Sequence, residues 1–299
     1  MAETPRVPRY VADLALLAAA AAWGLTFPLG KIVLSTLPPF TYLAARFTLA
    51  VVMLALALGR GGVTQRRDWV GAAAVGVVLF VAYGLQTLGL RLTAASNAAF
   101  ITGLSVVLVP LISAAWLRRP PKPHVLAGVA AATAGLGLLT LRETSAVRVG
   151  DLLVLGCAVG FAFHIVLVGR LAPRLDPVRL TAAQFAPAAA LSLLAAIGER
   201  PADALAGASP TVWGIVAFMA LTATAGAFLI QSWAQRFTTP SHAGLMFAFE
   251  PVVAALAAYA LLGDALSGLE AVGACLILAG IVIAELKQDE MLPISEEGR

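Results

Sequence analysis

Charge is scarce in this chain. Only 12% of its 299 residues are Asp, Glu, Lys or Arg, against about a quarter in a soluble domain. The polar coat that keeps a protein dispersed in water is missing. Cysteine and histidine are also scarce, at two and three residues. Cys157 and Cys275 both fall in apolar runs, so the sequence offers no disulfide framework, and both read as small core residues. The histidines have no zinc-ligand spacing and no His-Glu-x-x-His motif, and no Gly-Lys-Ser/Thr loop is present to cradle a phosphate. No soluble segment is present that could hydrolyse ATP. The sequence therefore predicts no metal, no cofactor and no enzyme activity. A membrane-embedded enzyme, the rival from another class, would show clustered acid/base or metal-ligating residues facing one membrane side, and none is seen.

What the chain has is apolar length. Sixty per cent of residues are hydrophobic and the mean hydropathy is +0.91. Ten runs are close to the roughly 20 residues that cross a bilayer. They cover 12–34, 40–59, 69–90, 96–116 and 124–141, then 151–170, 178–198, 211–235, 241–262 and 268–286. Between them lie turn and charge signals: Pro38-Pro39, Gly59-Arg60-Gly61-Gly62, Arg118-Arg119-Pro120-Pro121-Lys122-Pro123 and Asp176-Pro177. Helices are expected, since barrel strands run only about ten alternating residues.

The two sets of five runs repeat each other. Tyr42-Leu43-Ala44-Ala45-Arg46-Phe47 matches Leu180-Thr181-Ala182-Ala183-Gln184-Phe185 at a step of 138, which also pairs Asp13 with Asp151, Trp23 with Phe161 and Pro39 with Pro177. A step of 145 pairs Gln86 with Gln231, Arg91 with Arg236, Thr93 with Thr238, Ser96 with Ser241, Gly128 with Gly273 and Gly135 with Gly280. The predicted units are residues 1–145 and 146–299, the second ending in a cytoplasmic tail. With the N-terminus inside, fourteen basic residues fall in inside segments and four in outside loops, with Lys31 and Arg46 within spans. That bias puts both termini in the cytoplasm and accounts for the net charge of +4 without nucleic acid. Five crossings per unit make the second unit start outside. The expected fold is an all-α integral membrane protein of ten transmembrane helices in two inverted five-helix repeats, and such repeats commonly enclose a midplane transport site. The first run extends through Trp23-Gly24-Leu25-Thr26-Phe27-Pro28, beyond a signal-peptide core, and is read as an uncleaved helix.

The motifs resemble those of the drug/metabolite transporter superfamily, in particular its EamA-type exporters, over residues 10–286. Trp23-Gly24-Leu25-Thr26-Phe27-Pro28 is similar to that family's Trp-Gly-x-x-Phe signature, and Phe249-Glu250-Pro251-Val252 to its Glu-Pro-Val signature. Leu261-Leu262-Gly263-Asp264 stands where members carry Leu-Gly-Glu, whereas Trp116-Leu117-Arg118-Arg119 in the first half departs by having no acidic residue. The resemblance implies export of small metabolites. Amino acids are the best-known bacterial substrates, and the aromatic amino acid exporters look closest.

The polar residues inside spans are the candidates for the site. An acidic side chain such as Glu250 costs roughly 2.5–3.5 kcal/mol at a helix centre. Two readings stand open: a cavity carboxylate for a substrate ammonium or coupling proton, or one held by helix ends or a basic partner. His164 shares a helical face with Phe161 and has Thr26, beside Trp23 and Phe27, as its repeat mate. Gln86 and Gln231 each follow an aromatic residue, Tyr83 and Phe228, by three positions; interhelical bonding is the alternative for both. Tyr42 and Phe100 extend an aromatic wall or belong to an interfacial belt. Pro28 and Pro251 are candidate hinges, with Pro110 and Pro187 weaker ones. Arg46 pairs with Glu250, meets a substrate carboxylate or reaches the outer interface, the last being favoured, and Lys31 snorkels outward. Asp13 and Asp151 are expected N-caps, and His242 a surface or capping residue. The sequence as a whole predicts an inner-membrane secondary exporter of small neutral metabolites, most of all apolar and aromatic amino acids. Its expected partners are cargo and lipid, with proton coupling through Glu250 as a second reading and nucleosides or drugs as alternative cargo.

Overall fold

The computed structural model describes residues 9–58, 66–117, 121–140, 148–262 and 268–286, and among them every regular element is a helix. The helices are α1 (Arg9–Leu34), α2 (Pro39–Leu58), α3 (Arg66–Leu92), α4 in two pieces (Ala95–Gly103 and Ser105–Leu117) and α5 (Pro123–Thr140). The second set is α6 (Val149–Leu171), α7 (Pro177–Ala196), α8 (Pro210–Met219, Ala220–Gly226 and Ala227–Ala234), α9 in two pieces (Pro240–Phe247 and Glu250–Leu262) and α10 (Gly268–Leu286). A short helix, Pro201–Gly207, joins α7 to α8. Proline opens five of these ten helices, where its missing N–H costs nothing. Asp176, Ser209 and Thr239 cap α7, α8 and α9 through their side-chain oxygens.

Among the described residues eight spans are long and apolar enough to cross a bilayer; α5 and α10 supply shorter apolar stretches, Pro123–Leu138 and Ala271–Ile283. Large apolar side chains such as Leu14, Leu56, Val70, Leu111 and Tyr259 are exposed around the bundle, which suits a lipid surround. The ten runs thus become ten membrane helices. The breaks at 59–65, 118–120 and 263–267, including the Gly263-Asp264 pair, lie outside the described residues, as do Arg6 and the C-terminal tail.

Inversion is visible in the packing. Helix α1 meets α9 as α6 meets α4, α3 meets α6 as α8 meets α1, and α2 meets α8 as α7 meets α3. The pairs α2–α7, α4–α9 and α5–α10 are their own mates, so a pseudo-two-fold axis passes between them. At α5–α10 the glycines explain the approach. A Cβ on Gly135 would stand 2.5 Å from the Gly273 carbonyl oxygen, and one on Gly280 2.6 Å from that of Gly128. These are mate contacts, and they locate the glycine pairing within one chain.

The two broken helices also correspond. Leu104 separates the pieces of α4 and Ala248-Phe249 those of α9, and Leu104 is the repeat mate of Phe249. Pro251 stands just after the α9 break, in the first turn of the second piece, where it removes no ladder bond. Pro28, Pro110 and Pro187 lie inside helices. One irregularity has no mate: Ala220–Gly226 of α8 is a π-helical segment, while the equivalent part of α3 is plain α-helix.

Several expectations are corrected. Helix α1 already runs at Arg9, so Asp13 lies inside it, buried, with Oδ1 2.9 Å from Nε2 of His242. His242 is itself 1% exposed, so it is a buried partner and no surface residue. Asp151 does cap the start of α6 as expected, from its third residue: its carboxylate accepts from the Arg148 N–H at 2.9 Å and also from the Thr93 hydroxyl at 2.6 Å. Lys31 does not snorkel freely: its Nζ donates to the Leu90 and Thr93 carbonyls at 2.7 and 2.6 Å, capping the end of α3. Cys275 is exposed, and only Cys157 is buried.

Candidate functional site

A cavity lies between the halves. Its lining is built from the repeat. Trp23 and Phe161, Thr26 and His164, Tyr83 and Phe228, Gln86 and Gln231, Thr102 and Phe247, and Ser105 and Glu250 are six mate pairs, and all twelve residues line it. Ile165 is the thirteenth lining residue. The cavity therefore straddles the pseudo-two-fold axis, with α1, α3 and α4 facing α6, α8 and α9.

The aromatic contacts carry the same symmetry. Trp23 meets Phe228 with ring centroids 5.1 Å apart, and the mate contact of Phe161 with Tyr83 is also 5.1 Å. Phe47–Tyr83 and Phe185–Phe228 are both 5.3 Å. Tyr83 and Phe228 approach each other across the axis at 6.1 Å. Phe228 also packs on His164 at 5.4 Å, and Trp23 on Phe247 at 4.9 Å. Edge-to-face geometry of this kind holds rings in fixed orientations.

Polar groups are set into this aromatic frame. The Trp23 indole N–H donates to the Ala223 carbonyl at 2.7 Å, tying α1 to the π-helical segment of α8. His164 Nε2 is 2.7 Å from Gln184 Oε1 on α7. Gln86 Nε2 donates to the Thr102 hydroxyl at 3.3 Å, and Gln231 Nε2 to Gln235 Oε1 at 2.9 Å. Gln235 in turn donates to the Ile165 carbonyl at 3.0 Å, so that line of amides joins α8 to α6. Glu250 opens the second piece of α9, where the helix dipole favours a negative charge. It forms no ion pair and no side-chain hydrogen bond among the described residues. Gly24 is what lets α1 press on this break: a Cβ there would stand 2.6 Å from the Glu250 carbonyl oxygen and 2.8 Å from Val253 Cβ.

Of the residues expected in the site, Trp23, Tyr83, Gln86, His164, Phe228, Gln231 and Glu250 share the cavity. Phe27, Tyr42 and Phe100 do not line it. Phe27 is fully packed in the core and Phe100 is half-buried against it. Tyr42 is buried, taking a bond from Arg46 at 3.0 Å and approaching Met219 Sδ at 3.6 Å. Arg46 is corrected as well. It stays 2% exposed instead of reaching the interface, because Thr224 accepts from its Nε at 2.5 Å and Tyr42 from its Nη1. Sequence reasoning left Thr26, Thr102, Ser105, Phe161, Ile165 and Phe247 out of the site. The repeat step was the available signal: applied to His164, Glu250, Trp23 and Phe27, it returns Thr26, Ser105, Phe161 and Ile165.

The geometry can be set beside known proteins. An uncharacterized transporter of Archaeoglobus fulgidus is 32% identical over 281 residues, covering 94% of this chain and 88% of its own. The uncharacterized transporter YyaM of Bacillus subtilis is 25% identical over 272 residues, covering 87% and 89%. A solved crystal structure superposes with a TM-score of 0.76 at 25% identity, over 93% of this chain and 98% of the other. The EamA-like transporter family matches twice, at residues 11–141 and 148–286, so each five-helix half carries one match. The chain is a multi-pass membrane protein and belongs to the EamA-like transporter family.

Proposed function

We propose that the chain is a secondary transporter that exports small neutral metabolites, apolar and aromatic amino acids above all, from a cytoplasm that holds both termini, across the inner membrane. The observation that carries this reading is the cavity of six repeat-related pairs on the pseudo-two-fold axis. A site shared equally by two inverted halves is the one place that either half can open to its own side. The rings of Trp23, Tyr83, Phe161, Phe228 and Phe247 suit an apolar side chain. Gln86, Gln231, Thr26 and His164 offer amide, hydroxyl and imidazole groups for the polar end, and Glu250 offers a carboxylate for an ammonium. The second reading, proton coupling, rests on the same unpaired Glu250 carboxylate.

In this cycle cargo enters from the cytoplasm and units 1–145 and 146–299 rearrange around it. The breaks of α4 and α9, with Pro28 and Pro251, absorb the bend. The catalysed event is translocation with no bond made or broken, and no enzyme step is needed.

The deciding experiment is counterflow of labelled phenylalanine in liposomes holding the purified protein, competed with a panel of amino acids and nucleosides. Saturable exchange inhibited by apolar amino acids is expected. No exchange from demonstrably folded protein would refute the amino acid assignment, and inhibition by nucleosides alone would move it to that class.

A further inference from the structure

A buried cation beside the cavity has no anion. Arg46 is 2% exposed, and a guanidinium keeps its proton in proteins. Its Nε donates to Thr224 and its Nη1 to Tyr42, while Nη2 has no acceptor within hydrogen-bond distance. Its remaining neighbours are tyrosines: Cζ is 5.0 Å from the Tyr83 centroid and 6.0 Å from that of Tyr42, and the Tyr83 hydroxyl also interacts with the guanidinium. All of these partners are neutral, and Arg46 forms no ion pair with a carboxylate among the described residues.

Bracing the helices does not require this charge. The repeat mate of Arg46 is Gln184 on α7, which is also fully buried and meets His164 at 2.7 Å. A neutral amide thus does the bracing in the second half, whereas the first half keeps a desolvated cation at the same position. Keeping a charge in the membrane interior is costly unless something of opposite sign visits it. Tyr83 connects the charge to the cavity, since it both packs on the guanidinium and lines the cavity that Glu250 also lines. Glu250 thus lines the cavity, whereas Arg46 lies behind its wall with the Tyr83 ring between, and the two do not pair with each other.

We infer that Arg46 is an anion subsite of this cavity, reached past the Tyr83 ring, that takes the carboxylate of a zwitterionic cargo whose ammonium faces Glu250. The inference rests on the reading of the cavity as the substrate site. It narrows the cargo to molecules carrying both charges, with the aromatic lining receiving the side chain. Nucleosides, which lack a carboxylate, leave Arg46 unanswered. A guanidinium presents paired donors that match a carboxylate in two-point contact, and Nη2 is the group still open for one.

The test uses the full-length protein purified in detergent, following its thermal midpoint at constant ionic strength. The probes are 3-phenylpropionate, its neutral amide, phenethylammonium and sodium chloride. The acid is expected to stabilise wild type at concentrations about tenfold below the amide. Arg46→Gln, which installs the residue of the repeat mate, is expected to lose that preference while responding to phenethylammonium as wild type does. Arg46→Lys, which keeps the charge but not the two-point geometry, is expected to retain part of it. Equal potency of acid and amide on wild type overturns the inference even if Arg46→Gln does not fold. An undiminished acid preference in folded Arg46→Gln overturns it as well. Chloride matching the acid assigns the site to inorganic anions and overturns the carboxylate. A response to phenethylammonium without any acid preference refutes the subsite alone, whereas no response to any organic probe refutes the cavity reading together with it.

Discussion

The glycines at α5–α10 make a quantitative test of the pseudo-two-fold packing. In Gly135→Ala the new methyl would stand 2.5 Å from the Gly273 carbonyl oxygen and 2.9 Å from both Ile277 N and Cγ1. Ordinary contact begins at 3.4 Å, so the helices must separate locally by about 0.9 Å. The obstacle is backbone on the facing helix, which no rotamer change relieves. Overpacking of this kind costs typically 1–3 kcal/mol, against about 0.5–1 kcal/mol returned by alanine's better helix propensity. The net expectation is a destabilisation of about 1–2 kcal/mol. Gly280→Ala, the mate substitution, meets the Gly128 carbonyl oxygen at 2.6 Å and should cost about the same. The double variant should lose less than the sum, because the first methyl already opens the shared interface. Gly214→Ala on α8 is the control: a Cβ there meets nothing within 4 Å, and it should be neutral or stabilising by up to about 1 kcal/mol. The assay is reversible unfolding in mixed micelles, with denaturing detergent as the titrant. If Gly135→Ala proved as stable as Gly214→Ala, the close approach of α5 and α10 would be wrong, and with it the mate contacts that define the axis.

Three further outcomes are expected. Tyr83→Ala and Gln86→Ala should lower phenylalanine counterflow without lowering folded yield; normal transport by both would remove them from the site. Trp23→Phe keeps a ring between Phe228 and Phe247 but loses the bond to the Ala223 carbonyl, so it should cost about 1 kcal/mol in the same unfolding assay, and an unchanged midpoint would deny that bond. Asp13→Asn and His242→Ala should each destabilise by about 1–3 kcal/mol. A double-mutant cycle should show them coupled, and strict additivity would mean that the 2.9 Å contact contributes nothing.

Legibility in the sequence followed the nature of each signal. Spans and repeat could be read because apolar length and a constant step survive without coordinates. Seven expected cavity residues lay where that step placed polar and aromatic groups together. The misreadings have specific causes. Asp13 resembled a cap because a carboxylate ahead of an apolar run usually is one, but the chain is already helical at Arg9-Tyr10. Its true partner, His242, is 229 positions away, beyond any local pattern. The general cost of burying charge points Arg46 towards the interface; Tyr42 stands one turn earlier on the same helix, but that Thr224 would also hold it depends on how α8 lies against α2. The π-helical segment Ala220–Gly226 has no repeat counterpart, and its sequence of small residues and threonines does not announce it. Phe27 is on a cavity-forming helix but its face turns into the packed core, and Tyr42 is on α2, which contributes nothing to the lining.

The symmetry of the cavity is one of position and not of chemistry. Among its six mate pairs only Gln86 and Gln231 are identical, while Ser105 is the mate of Glu250, Thr26 of His164 and Thr102 of Phe247. If the inverted halves trade shapes in the proposed cycle, the frame is exchanged but the side chains stay where they are. A cargo leaving towards one compartment thus takes leave of a different set of groups from one leaving towards the other. On that cycle, half-saturation on the two faces of the membrane is expected to differ. For a carrier without a coupling ion the ratio of maximal velocity to half-saturation has to be equal in both directions, so the face that binds more tightly is also the slower one.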